Sequence, residues 1–261
     1  MKIASWNVNS LNVRLPHLLD WLAQAQPDIV ALQETKLEDA KFPAQALAQA
    51  GYHSVFTGQK TYNGVAIVSR MSSVPEPEDI QIGIPGFEDP QARVLAASYG
   101  GLRIIDLYVV NGQAVGSEKY DYKLRWLAAA HDWIAAEYAR HPELIVLGDF
   151  NIAPDDRDVH DPAIWNENSI LTSTAERAAL QGLLDLGLVD SYRLFEQPPE
   201  QFSWWDYRAA GFRRNLGLRI DLVLASQALK PRISAAGIDR EPRTWERPSD
   251  HTPVWLELAP A

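Results

Sequence analysis

Apolar runs of four to six residues, each ending in polar groups, recur along the chain and alternate with stretches of helical spacing. Lys2 to Asn7 reads as a strand that reaches a polar end. Behind Arg14, Leu15, Leu18, Leu19 and Leu22 recur at helical spacing, and Pro27 closes that helix. Asp28 to Leu32 then reads as a buried strand that delivers Gln33 and Glu34. Val65–Val68, Val94–Ser98 and Ile104–Val109 predict further strands. Asp121 to Arg140 predicts the clearest helix, with Leu124, Leu127, Ile134 and Tyr138 on one side. After Pro142, Leu144–Leu147 is a short apolar run leading into Gly148-Asp149-Phe150-Asn151. A helix over Ala178–Leu188 and strands over Ile220–Ala225 and Val254–Leu258 complete the pattern. Many short strands interleaved with helices imply an α/β fold: a four-layer sandwich of two mixed sheets packed face to face and flanked by helices. No repeat, low-complexity tract or linker divides the chain, so residues 1–261 are expected to form one catalytic domain.

Five segments place acidic, amide or imidazole groups just past apolar strands: Asn7 with Asn9, Glu34, Asp149 with Asn151, Asp221, and Asp250 with His251. Hard cations such as Mg²⁺ take oxygen ligands, commonly one or two carboxylates with water and phosphate oxygens. The chain has no cysteine, which removes disulfides and thiolate metal sites. Taken singly, each segment is an ordinary turn or surface pair. Their joint occurrence is what carries chemistry.

That joint pattern resembles the exonuclease III family of DNA-repair nucleases, within the deoxyribonuclease I fold superfamily. The resemblance rests on Trp6-Asn7-Val8-Asn9-Ser10-Leu11, Leu32-Gln33-Glu34-Thr35-Lys36, and Tyr62-Asn63-Gly64-Val65-Ala66-Ile67. It continues through Gly148-Asp149-Phe150-Asn151-Ile152-Ala153-Pro154, Phe202-Ser203-Trp204-Trp205-Asp206-Tyr207-Arg208, and Gly217-Leu218-Arg219-Ile220-Asp221. It ends with Pro248-Ser249-Asp250-His251-Thr252-Pro253-Val254, and so spans Lys2 to Leu258. The resemblance implies a Mg²⁺-dependent (or Mn²⁺-dependent) hydrolase of phosphodiesters that acts on duplex DNA at abasic sites or 3′ ends. It implies catalytic roles for Tyr108, Asp149, Asn151, Asp221 and His251, and a cation near Asn7, Glu34, Asp149, Asn151, Asp250 and His251. Ser10 stands where the family often has Gly, and Val109-Val110-Asn111-Gly112 where a Pro is common, so the loops beside the substrate are left open.

Net charge is −10, from 24 basic and 34 acidic residues, which argues against a general nucleic-acid coat. Binding depends on one face, however, and from Ser203 to Asp221 the local balance reverses. Trp204 and Trp205, with Arg208, Arg213, Arg214 and Arg219, are therefore the expected DNA contacts. Adjacent tryptophans on a strand point to opposite faces, so one of the two is expected in the core. No apolar run has the length of a signal sequence or membrane span, which predicts a cytoplasmic protein, associated with the nucleoid during repair and monomeric. Two alternatives remain: a metal-dependent phosphatase or phosphodiesterase for inositol phosphates or lipid headgroups on the same fold, and a binding module that has lost its chemistry.

Overall fold

The computed structural model describes residues 1–261. Its strands are β1 (Lys2–Asn7), β2 (Ile29–Gln33), β3 (Tyr52–Thr57), β4 (Val65–Arg70), β5 (Glu78–Ile82), β6 (Val94–Tyr99) and β7 (Leu102–Tyr108). They continue with β8 (Leu144–Asp149), β9 (Val189–Asp190), β10 (Trp204–Trp205), β11 (Gly217–Leu218), β12 (Asp221–Ala225), β13 (Ile233–Ile238) and β14 (Val254–Leu258). The helices are α1 (Leu11–Ala25), α2 (Ala44–Gln49), α3 (Glu118–Arg140) and α4 (Thr174–Asp185).

Two six-stranded sheets form, in the orders β13-β14-β1-β2-β4-β3 and β5-β6-β7-β8-β12-β9. Each is mixed, with one parallel pair at its centre, β1 with β2 and β7 with β8. The inner faces share one apolar layer, in which Ile3, Ile29 and Ile67 meet Leu95, Ile145 and Val223. On the outer face of the first sheet, Trp6 and Val30 pack with Leu18, Trp21 and Leu22 of α1. On that of the second, Ile105 and Val146 pack with Trp126, Leu127 and Ile134 of α3 and with Leu180 and Leu183 of α4. The expected four-layer sandwich is thus observed. No helix is long and apolar enough to cross a membrane.

Element ends differ from the sequence reading where caps decide them. α1 begins at Leu11 because Ser10 caps it, its hydroxyl accepting from the Val13 amide. It ends at Ala25 with Gln26 left-handed, one residue before Pro27. α4 starts four residues earlier than hydrophobic spacing suggests, because Ser173 and Glu176 form a capping box. β3, β5, β13 and α2 are additional elements.

The parallel pairs place the site. Their registers set Asn7 beside Gln33 and Tyr108 beside Asp149, so polar residues at the carboxyl ends of β1, β2, β7 and β8 converge at one rim of the sandwich. β12 runs antiparallel to β8 and sets its first residue, Asp221, opposite Asp149. Gly148 makes that crossing possible. Its φ is +145°, and a Cβ there would lie 1.9 Å from the Leu107 carbonyl oxygen.

Candidate active site

Asn7 sits at the centre of the rim. Its side-chain amide nitrogen donates to Glu34 Oε1 at 3.0 Å and to Asp149 Oδ2 at 2.9 Å, one hydrogen to each carboxylate. Its oxygen accepts from the Asn9 amide at 3.0 Å. In this arrangement Asn7 bridges the two acids. Glu34 leaves β2 in the left-handed region, with φ 53°, a conformation that costs energy for a residue with a side chain. Hydrogen bonds from Ser10 and Leu11 amides to the Glu34 and Thr35 carbonyls hold this turn.

His251 completes the centre. Its Nδ1 lies 2.8 Å from Asp221 Oδ2 and its Nε2 3.6 Å from Asp149 Oδ2. The loop that carries it is tied twice to β1: Ser249 Oγ donates to the Asn7 carbonyl at 2.7 Å, and Trp6 Nε1 to the His251 carbonyl at 3.3 Å. The Asp221 amide is in turn bonded to Ser203 Oγ at 3.1 Å. One donor atom from each of Glu34, Asp149 and His251 falls within 4.8 Å of the others, a spacing suited to a shared metal ion.

Burial sets the charge states here. For His251, desolvation favours the neutral ring, but the Asp221 and Asp149 carboxylates outweigh it and raise its pKa to about 10. Desolvation is the main force on Asp149 too. The imidazolium offsets part of it while Asp221 adds repulsion, leaving a pKa of about 7. Glu34 behaves oppositely: desolvation pushes it up, but the Asn7 hydrogen bond and the charges of His251 and Lys36 prevail, and it is held below the ordinary range as an anion. Tyr108 is driven well above the usual phenol value by burial and by the Glu34 and Asp149 charges, so it stays a neutral O–H donor.

Asn151 follows Asp149 in the left-handed region, with φ 48°. Its side-chain nitrogen donates to the Val109 carbonyl at 2.8 Å, which leaves one amide hydrogen for another acceptor. The fully buried Lys123 donates to the main-chain oxygens of Asn111 at 3.1 Å and Asn151 at 2.6 Å, and pairs with the Glu176 carboxylate. It fastens the loops after β7 and β8 together. Sequence reading passes over Lys123 because its position looks like an exposed turn of α3. The one available sign is that it falls on the buried stripe with Trp126, Leu127 and Ala130.

Beside these groups opens a chamber of about 730 Å³. Asp149, Asn151 and His251 form its floor, and Ile164, Trp165, Leu171, Trp204 and Ile220 its apolar sides. His160, which stands in no motif, also lines it and accepts from Trp165 Nε1 at 3.2 Å. A second groove of about 590 Å³ adjoins through Asn111 and is lined by Gln59, Asn63, Arg93, Gln113 and Lys119 with no carboxylate. Of these only Asn63 falls in a quoted motif, and the five come from three loops and the first turn of α3.

The expected DNA contacts divide. Trp204 is half-buried and lines the chamber with Arg208, which is exposed and paired with Asp206, and Arg213 and Arg214 are exposed. Trp205 is only 1% exposed, its ring edge-on to Phe212 and its indole N–H bonded to Asn215. Arg219 is equally buried, clamped between Asp158 at 2.7 Å and Asp190 at 2.6 Å. Neither can reach a DNA strand, which corrects both expectations: alternation along β10 sends Trp205 inward, and two distant carboxylates consume the charge of Arg219. Asp250 lines the chamber but stands outside the Glu34, Asp149 and His251 group.

A family model described as the Endonuclease/Exonuclease/phosphatase family matches residues 4–251. An exodeoxyribonuclease III of Haemophilus influenzae is 38% identical over 276 residues, covering 99% of this chain and all of its own length. Among solved structures, the 3′ phosphatase NExo from Neisseria, bound to a product DNA hairpin, superposes with a TM-score of 0.95 at 50% identity over 99% of both chains. An AP endonuclease from Archaeoglobus fulgidus superposes at 0.93, with 37% identity and 99% of both chains covered. The chain belongs to the Endonuclease/Exonuclease/phosphatase family and, within it, to the exonuclease III family of DNA-repair nucleases, and is a phosphodiester hydrolase.

Proposed function

We propose that this protein is a Mg²⁺-dependent repair nuclease that hydrolyses duplex DNA at abasic sites and damaged 3′ ends, removing 3′ phosphates and 3′ nucleotides with the same set of groups. The observation that carries the reading is the buried meeting of Glu34, Asp149 and His251, with Asp221 behind the imidazole, at the floor of an apolar chamber. The donor set fits a hard divalent cation: carboxylate oxygens from two strand ends, no thiolate, and Glu34 held as an anion. Glu34 and Asp149 would hold it, and when bound it neutralises charge on the phosphate and on the leaving oxygen.

The chain's own groups do the rest. An imidazolium has no lone pair to offer at Nε2, so His251 acts as a fixed positive charge and hydrogen-bond donor for a phosphate oxygen. Asp221 keeps it charged and oriented. Asp149, whose pKa lies near neutrality, takes a proton from the attacking water, and the free amide hydrogen of Asn151 orients that water. The neutral Tyr108 O–H donates a hydrogen bond to a phosphate oxygen. The apolar sides of the chamber suit a sugar or nucleoside next to the scissile phosphate, and the carboxylate-free groove past Asn111 suits the anionic backbone leading to it.

A panel of defined duplexes tests this, carrying a single abasic site, a 3′ phosphate, or an undamaged recessed 3′ end, with Mg²⁺, Mn²⁺ or excess chelator. Cleavage of all three that disappears in chelator is expected. Full turnover in chelator, or turnover of inositol phosphates that excess duplex DNA does not inhibit, would overturn it.

A further inference from the structure

Both carboxylate oxygens of Asp250 are engaged within the protein. Its Oδ2 accepts the indole N–H of Trp204 at 3.0 Å, and its Oδ1 accepts the side-chain amide of Asn9 at 3.1 Å. Asn9 in turn accepts from Lys36 Nζ at 2.7 Å, and that ammonium lies 3.4 Å from Glu34 Oε2. A line of polar contacts therefore runs from the cation side of the site to the apolar side of the chamber, and Asp250 is its last link.

Trp204 needs such a link. It lies in a two-residue strand, β10, which pairs only with the equally short β11 and bridges to His251. No large sheet backs it. Its indole packs at the edge of a small cluster with Ala153, Leu171 and Ile220, and is only half-buried. The torsion that turns an indole about its Cβ–Cγ bond is broad, so partial packing leaves the ring free to swing. A charge-assisted hydrogen bond from its one polar atom is what fixes the plane. The Trp205 amide donates to the Asp250 carbonyl at 3.1 Å, so backbone and side chain of Asp250 hold the same strand.

Resting on the reading that the chamber takes the sugar or nucleoside beside the scissile phosphate, we infer that Asp250 is a positioning residue for Trp204, locking the indole as the substrate-facing side of the chamber, and is not a ligand of the cation.

Four variants separate the two roles. Asp250→Asn keeps an acceptor for the indole but removes the charge that a metal ligand supplies. Asp250→Ala removes both. Trp204→Phe removes the indole N–H but keeps an aromatic side. The double variant Trp204→Phe with Asp250→Ala closes the cycle. Single-turnover cleavage of an abasic duplex is measured against DNA concentration, and Mg²⁺ affinity by calorimetry on the protein alone. Asp250→Ala is expected to raise the half-saturating DNA concentration about tenfold with the maximal rate within about threefold, Asp250→Asn to recover most of that loss, and the double variant to be no worse than Asp250→Ala. Mg²⁺ affinity should stay within about twofold of native in both Asp250 variants and fall more than tenfold in Glu34→Gln. Losses that multiply in the double variant, or an Asp250→Asn chain that binds Mg²⁺ as poorly as Glu34→Gln, would overturn the inference. Were Glu34→Gln to bind Mg²⁺ normally, the cation reading would fall, and the cycle in DNA half-saturation would still decide the link to Trp204. Thermal unfolding checks each fold, and if Asp250→Ala does not fold, the Mg²⁺ affinity of Asp250→Asn decides alone.

Discussion

Two residues apart on the chain, Arg219 and Asp221 enter two different groups of buried charge. Arg219 joins Asp158 and Asp190, and Arg193 pairs with Asp158 at 2.6 Å, so two acids meet two guanidinium groups. Asp221 joins Asp149 and Glu34, where three carboxylates face one imidazole and the half-buried ammonium of Lys36. Both groups are buried to a similar degree. They differ in balance. In the first, every charge has a bidentate or near partner, and Arg219 stays firmly protonated because Asp190 and Asp158 overcome its desolvation. In the second, acids are in excess, and the mismatch appears as an Asp149 that titrates near neutrality. Burial alone therefore does not mark a working site. A buried group left short of positive charge does, because it favours a cation and a proton in transit.

Breaking each group should separate the two kinds of role. The largest effect is expected from Glu34→Gln: single-turnover cleavage in Mg²⁺ should fall by roughly 10³-fold, with the unfolding midpoint almost unchanged. A large loss of stability with activity kept per folded molecule would reverse the contrast. Arg219→Met should do the opposite. Two carboxylates would be left buried without their partner, at a cost of about 3–5 kcal/mol in urea unfolding, while the folded fraction cleaves DNA at close to the native rate. Smaller still is the expected effect of replacing Arg213 and Arg214 together by Ala. If both face backbone phosphates, DNA binding weakens and the slope of log affinity against log salt becomes shallower by about two. An unchanged slope would return them to solvated surface.

The same contrast explains what could be read from the sequence. Glu34, Asp149, Asp221 and His251 are legible because each closes or opens an apolar strand, and strand registers bring such ends together without long-range detail. Arg219 and Trp205 are not, since their fates depend on partners far along the chain: Asp158 is 61 residues before Arg219, and Asp190 is 29. A local excess of arginine looks the same whether it faces water or a buried acid. The missed strands have a similar cause. β5 is an edge strand with mostly exposed residues, and β13 is built from Ile-Ser-Ala-Ala-Gly-Ile, whose small residues blunt the alternation. Asn7 closes β1, so its place at the rim is legible too, whereas its bonds to the two acids depend on Glu34 and Asp149, 27 and 142 residues along the chain.

In the proposed function the unbalanced group divides its labour: His251 stays a cation while Asp149 moves the proton. The pH dependence of single-turnover cleavage in native and His251→Gln chains, with Mg²⁺ present, separates this from its reverse. With its pKa raised from the ordinary 6.5 to about 10, His251 should keep its charge across neutrality and lose it only as pH passes the raised value. Asp149, with its pKa raised to about 7, is protonated on the acid side and becomes a base as pH rises, and a bound cation would move that limb lower. The native rate should therefore climb along an acid limb, level off, and fall again towards pH 10. His251→Gln should be slower throughout, keep the acid limb, and lack the alkaline fall. An acid limb that is present in the native chain and absent from His251→Gln would show instead that the imidazole is the base, and that Asp221 serves to raise its basicity rather than to hold a permanent charge.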